Sequence, residues 1–188
     1  MNTKKILVVV DMQKDFVDGS LGTPEAQAIV PNVEDKIRNG DYYAVVYTLD
    51  THRSSYLDTL EGQKLPVKHC IEYTDGWALA VSTHNSDEDY VVIKNTFGYL
   101  DWGNVITNII NDAFYKPDIE IKSEEIEFEL CGLCTDICVI SNALILRATY
   151  PNNIITVDAS CCAGTTPEAH KAALTVMKSC QIDVINEE

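Results

Sequence analysis

Five consecutive apolar residues, Ile6-Leu-Val-Val-Val10, run without a polar interruption into Asp11. Side chains of a strand alternate between its two faces, so an unalternated apolar run belongs to a strand covered on both. Similar short apolar runs recur at 43–48, 90–93, 126–131, 154–157 and 182–185. Between them, helical periodicity is legible over 26–38, 102–113, 138–148 and 167–179. The last of these opens on Thr165-Thr166 as N-cap candidates, with Pro167 and Glu168 suited to the first turn. Strands that alternate with helices predict an α/β fold, with a mostly parallel sheet and helices on both of its faces. The stretch from 50 to 89 carries few clear elements, and a segment that long in a compact domain is usually functional or built of short helices.

Length and composition narrow the class further. The 188 residues, 46% of them hydrophobic, fit one globular domain over 1–188. A formal charge of −15 argues against nucleic acid or an anionic membrane as partner, since both reward lysine and arginine clusters. The apolar run after Lys5 is too short to span a bilayer, and no small-residue cleavage site follows it. A cytoplasmic protein is therefore expected. Seven cysteines, an odd number without a framework spacing, are expected to be reduced and mostly buried, any exception being reactive or metal-binding.

In open α/β sheets, ligands bind beyond the carboxyl ends of the strands. Asp11 follows the first predicted strand, Asp50 the second, Lys94 the third and Thr135–Cys138 the fourth. Cys138 stands where a strand passes through Gly132 into a helix. Free N–H groups and the dipole there favour a thiolate and offer donors to an oxyanion, with Thr135 or Asp136 as the natural N-cap. The alternatives are a buried structural cysteine, or metal binding together with Cys131 and Cys134. That set has no clear fourth ligand, and Cys131 is expected to face the core. Asp11, desolvated at a strand end, suits a base, though it also suits a turn cap. Lys94 is either a solvated stem or, if aimed at the other two, their electrostatic partner.

Asp50 and His52, at i and i+2 of an extended segment, share a face and can reach one ion. His69 offers a third ligand, and Glu61 a fourth or a water-mediated contact. Such a set suits a divalent metal, zinc, iron or manganese, with open positions left over. The bland alternative is a pair of surface histidines in a polar loop. His84 and His170 have no such company and read as surface or packing residues.

These residues together resemble the isochorismatase-like cysteine hydrolases, and within them the nicotinamidases. The resemblance runs from Val10-Asp11-Met12-Gln13-Lys14-Asp15-Phe16 through Asp50-Thr51-His52, His69-Cys70 and Lys94-Asn95-Thr96-Phe97. It continues through Cys131-Gly132-Leu133-Cys134-Thr135-Asp136-Ile137-Cys138-Val139 to Asp158-Ala159-Ser160-Cys161-Cys162-Ala163-Gly164. It implies a Rossmann-like, three-layer αβα fold on a six-stranded parallel sheet, and a homo-oligomer. It implies a catalytic Asp11, Lys94 and Cys138, and Asp50, His52 and His69 as metal ligands with Glu61 as an extra one. It also implies a cis peptide at Leu133–Cys134 shaping an oxyanion site, and Phe16 as an aromatic wall for the substrate. The activity implied is hydrolysis of a small amide, nicotinamide to nicotinate and ammonia, through a cysteine thioester, as in NAD salvage. Cys138 counts against vinyl-ether hydrolysis as in isochorismatases proper, and the metal residues against the carbamoyl-amide hydrolases. Thr51 and Arg53 stand where nicotinamidases commonly carry Trp and Pro, and Cys134 replaces a small residue before Thr-Asp. Three rival readings remain: hydrolysis of another small amide or ureido compound, a silent small-molecule-binding protein, and a redox sensor on Cys131, Cys134 and Cys138.

Overall fold

The computed structural model describes residues 3–82, 89–111 and 122–187. Six strands, β1 (Lys4–Val10), β2 (Ala44–Asp50), β3 (Tyr90–Lys94), β4 (Ile126–Leu133), β5 (Ile155–Ala163) and β6 (Asp183–Ile185), form one sheet. Their order is β3-β2-β1-β4-β5-β6, and every pairing is parallel. The five apolar residues of β1 are wholly buried, as their unalternated pattern requires.

Helices cover both faces. Phe128 packs its ring 5.1 Å from that of Tyr150, at the end of α5 (Ile140–Thr149), whereas its neighbour Glu129 binds Lys36 of α2 (Pro24–Asn39). Adjacent strand residues point to opposite faces, so α2 and α5 lie on opposite sides. With α5 go α4 (Trp102–Asn111) and α6 (Pro167–Ser179), which pack against it in turn. Two of the helices start as capping chemistry directs. The Thr23 hydroxyl accepts from Ala26 N at 3.0 Å ahead of Pro24, and the Thr166 hydroxyl from Ala169 N at 3.1 Å ahead of Pro167.

The chain moves outward one way from β1 through β2 to β3, and the other way from β4 through β5 to β6. The switch point therefore lies between β1 and β4, where the carboxyl ends splay and ligands bind. Gly132 makes that closeness possible. Its φ is 119°, and a Cβ there would sit 2.1 Å from the Val10 carbonyl oxygen.

Some boundaries differ from the sequence reading. The fifth strand continues to Ala163 past Asp158 and Ser160, with a register shift against β4 between Leu130 and Gly132. Polar residues hid this extension because the bulge lets their side chains find partners. The helix expected over 138–148 starts as a single π turn, Thr135–Val139, ahead of α5. The helix expected to reach Ala113 is described as far as Asn111; its expected end and His84 lie outside the described residues. Within 50–82 the chain makes short pieces: a 3₁₀ turn at Tyr56–Asp58, α3 (Leu60–Lys64) and another 3₁₀ turn at Asp75–Trp77. The first short helix, α1 (Lys14–Val17), precedes α2.

Candidate active site

Three strand ends and the turn after β4 bring Asp11, Asp50, Lys94 and Cys138 together. Register explains it: Asp50 pairs with Lys94 across β2 and β3, while Val10 lies between Thr48 and Gly132. Asp11 follows with φ at 47°, a left-handed conformation that aspartate tolerates better than most residues and that recurs at functional sites. Its N–H donates to the Thr48 carbonyl at 3.1 Å, and the Thr48 hydroxyl donates to Asp11 Oδ1 at 2.6 Å. Lys94 Nζ lies 2.6 Å from Asp11 Oδ2, 3.7 Å from Cys138 Sγ and 3.7 Å from Asp50 Oδ1. All four residues are buried.

Burial and the charges of neighbouring groups compete over the protonation of this cluster. Burial pushes the Asp11 carboxyl above the usual carboxylate range, although the Lys94 charge pulls the other way. It pushes the Cys138 thiol well above its ordinary value, helped by the Asp11 charge and opposed by Lys94. Burial also disfavours the Lys94 cation, but Asp11, Cys138 and Asp50 outweigh it and hold the ammonium. Burial thus favours the thiol and works against the helix terminus, which favours the thiolate. A buried sulfur beside a carboxylate keeps its proton unless that carboxylate takes it.

The Cys138 turn is held from outside. The N-cap of the π turn is Cys134, without a side-chain cap; neither Thr135 nor Asp136 fills that role. The Thr135 hydroxyl instead pairs with His170 Nδ1 at 2.8 Å. The Asp136 carboxylate accepts from Thr165 N at 2.8 Å and from its hydroxyl at 2.6 Å, tying the turn to the loop before α6. His170 is thus a packing residue. The Leu133–Cys134 peptide is cis. Cys131 is fully buried in β4, and burial raises its thiol well above the ordinary value, so the three-cysteine redox set is not exposed together.

Asp50, His52 and His69 place one ligand atom each within 4.8 Å of one another. His69, distant in sequence, arrives through a small parallel bridge between His52 and Ile71, in which His52 N donates to the Cys70 carbonyl at 2.9 Å. Asp50 Oδ2 is 2.9 Å from His52 Nε2 and 3.6 Å from His69 Nε2, and Glu61 Oε1 is 3.6 and 3.8 Å from the same two nitrogens. His69 Nδ1 lies 2.9 Å from the Val67 carbonyl and must donate to it, which in the neutral ring leaves Nε2 with its lone pair free for a cation. His52 Nε2 is buried without a hydrogen bond. Acceptors converging on acceptors, one of them orphaned, fit a cation between them, and this donor set suits zinc, iron or manganese.

A cavity of about 770 Å³ opens over this floor. Cys134, Cys138, Asp50, His69 and Glu61 line its base, and Phe16, whose ring lies 5.4 Å from that of His69, forms part of its wall.

A model of the Isochorismatase domain matches residues 5–188. The chain belongs to that family. An uncharacterized isochorismatase family protein, PncA, of Bacillus subtilis is 31% identical over 157 residues, 75% of this chain and 77% of its own. Among solved structures, the pyrazinamidase of Pyrococcus horikoshii in complex with zinc superposes with a TM-score of 0.77 at 23% identity. The match covers 98% of this chain and 99% of that one. The nicotinamidase PncA from Bacillus subtilis gives 0.70 at 25% identity, covering 96% and 98%.

The isochorismatase fold of this chain also uses residues that the motifs did not single out. Gln13, fully buried, donates to the carbonyls of Asp50 and Trp77 at 2.9 and 2.8 Å and accepts from Asp50 N at 2.8 Å. It clamps the backbone of Asp50, which lies near both Lys94 and the histidines. Asn142, also fully buried, accepts from Tyr99 N and Trp102 Nε1 and donates to the carbonyls of Phe97 and Cys138. Tyr56 stacks beside both imidazoles, with centroids 4.6 and 5.0 Å away. The only advance signal was polarity inside apolar surroundings. A buried amide must have all its partners, and sequence does not name them.

Proposed function

We propose that this isochorismatase-family protein is a nicotinamidase-type amidohydrolase, releasing ammonia from nicotinamide through a thioester on Cys138. One observation carries the reading: a buried ammonium, Lys94 Nζ, bridges Asp11 at 2.6 Å and Cys138 at 3.7 Å, and Cys138 lines a cavity. Similarity to proteins described as a nicotinamidase and a pyrazinamidase supports it.

The chemistry follows from the proton balance. Asp11, whose carboxylate already binds protons unusually well, takes the Sγ proton as the sulfur approaches the carboxamide carbon. Lys94 keeps its charge throughout and stabilises both the thiolate and the carboxylate. The S–C bond forms and the carbonyl becomes an oxyanion, for which the backbone N–H groups of Cys134 and Cys138 are the donors at hand. As the C–N bond breaks, Asp11 passes its proton to the leaving nitrogen, and ammonia departs. Asp11 then takes a proton from water, whose oxygen attacks the thioester, and the returning sulfur recovers that proton as the acid leaves. Asp50, His52, His69 and Glu61 would hold the divalent ion, which when bound supplies a Lewis-acid contact for orienting a substrate heteroatom.

The test is ammonia release from nicotinamide by the purified protein and by Cys138→Ala, each with and without chelator. Release that vanishes in the variant and falls with chelator is the expected result. No release from metal-replete wild type would remove nicotinamide as substrate.

A further inference from the structure

We propose that this site also accepts acyl groups that carry an apolar extension, alkyl or aryl, beyond the size of a single heteroaromatic ring; this rests on the amidohydrolase reading above. Size is the first observation. A ring carboxamide of about nine non-hydrogen atoms claims at most on the order of 300 Å³, even at the loose packing of liquid water. An ion with its waters adds on the order of 100 Å³. The cavity of about 770 Å³ leaves several hundred unfilled, and its volume falls in the range that buries much larger ligands.

The second observation is what faces that space. Beside polar Lys64, Asn95 and Thr165, the lining includes Leu21, Leu60, Leu65 and Phe97. Three of these are large and exposed, Leu60 at 68%, Phe97 at 47% and Leu65 at 39%. Exposed apolar side chains scattered singly need no explanation, but a set that shares one cavity above polar chemistry marks a place where apolar ligand surface is covered.

The wall is also fixed rather than loose. Thr59 caps α3 through Gly62 N at 3.0 Å, and the Tyr56 hydroxyl donates to the Leu65 carbonyl at 3.0 Å. Tyr56 packs its ring on His52 and His69, so the same side chain that shapes the histidine cluster sets the position of Leu65. A preformed apolar wall gains binding from each methylene it covers without the cost of ordering itself.

The experiment is a series of straight-chain primary amides from propanamide to nonanamide, with nicotinamide alongside, followed by ammonia release. We expect kcat/KM to climb about fourfold for each added methylene until the space is filled. Leu60→Ala and Phe97→Ala should lower the ratio of long-chain to short-chain kcat/KM at least about fivefold. That ratio is taken within each variant, so a general loss cancels. The same series is titrated calorimetrically into Cys138→Ala. A flat or falling profile, in turnover and binding alike, with nicotinamide turned over normally would overturn this inference and leave the amidohydrolase reading intact. No ammonia from any amide, with affinity still rising along the series, would overturn the chemistry and support the apolar ligand class. Absence of both turnover and binding would overturn the two together.

Discussion

Lys94, buried, and Lys36, half-buried, each lie against two acids, and they serve opposite ends. Lys36, on α2, binds Glu129 of β4 and, at 2.6 Å, Asp158 of β5. Every other acid oxygen there has a partner: Lys5 at 3.1 Å on Glu129, and Ser160 and Asn186 on Asp158. Burial alone would raise both carboxyls, but Lys36 together with Lys5 on Glu129, and with Ser160 and Asn186 on Asp158, holds them below the usual range. Lys94 instead touches two carboxylates and a thiol, and there burial wins for Asp11 and Cys138, while His52, His69 and Lys94 hold Asp50 below the usual range against burial. The first cluster is satisfied and closed. The second keeps a proton on the sulfur beside an acid able to take it, under an open cavity. Proton affinity raised beside a cavity marks chemistry; affinity lowered inside a complete network marks architecture.

Removing the sulfur should break the comparison most sharply. Cys138→Ala is expected to lower kcat on the order of 10⁴-fold or more, as loss of a covalent nucleophile does. Its thermal midpoint should stay within a few degrees of wild type, because the Lys94–Asp11 pair survives. A large fall in stability with residual turnover would mean that Cys138 is a core residue and not the nucleophile.

Lys36→Met should do the reverse, costing about 3–5 kcal/mol of stability by leaving two buried acids without their shared cation. Its pH dependence is the more telling readout. In wild type the depressed carboxyls stabilise the fold above their ordinary pKa near 4, and this contribution is lost as pH falls through the lower folded values. Without Lys36, only Lys5, Ser160 and Asn186 are left to oppose burial, so both carboxyls should move up and this loss at acid pH should shrink. Denaturant midpoints should therefore fall less steeply from pH 7 to 3 in the variant. Equal slopes would show that Lys36 does not control these acids.

Gln13→Ala should act between the two clusters. Freeing the Asp50 backbone leaves the ligands in place but unaimed, an effect expected to weaken metal affinity roughly 10–100-fold. Competition against a chelator of known affinity measures it, and unchanged affinity would reduce Gln13 to a packing residue.

The contrast between the clusters also shows what was legible in advance. Asp11, Lys94 and Cys138 could be read because a parallel α/β sheet delivers its strand ends to one rim, and each of them follows an apolar run. Asp50 and His52 were legible for the same reason; His69 joined them only through the resemblance and a plausible reach, since the His52–Ile71 bridge has no periodic signature. The Lys36 network was missed, although Glu129 lies inside the apolar run 126–131, where a central strand has no room for an unpaired acid. Sequence showed the need for a cation and not its address, because that depends on how α2 crosses the sheet. The capping of the Cys138 turn was misread on similar grounds. Thr135 and Asp136 are good caps locally, but His170 of α6 and Thr165 in the loop before it offered them partners at 2.8 and 2.6 Å, and the chain took those.

The smallest effect sharpens the comparison most, because it moves one proton. The Thr48 hydroxyl donates to Asp11 Oδ1 at 2.6 Å and stabilises its ionised form. Thr48→Val keeps shape and removes that donor, whose bond to a charged acceptor is typically worth about 1.5–3 kcal/mol. Asp11, already raised, should rise by a further pH unit or so, since one unit corresponds to about 1.4 kcal/mol. A base must be deprotonated to work, so activity is lost as pH falls through this value. The acid limb of kcat/KM should therefore move to higher pH by about one unit, with the plateau less affected. A limb that stays in place would take the proton-accepting role away from Asp11, and Lys94 would then stand beside two acids of which neither is the base.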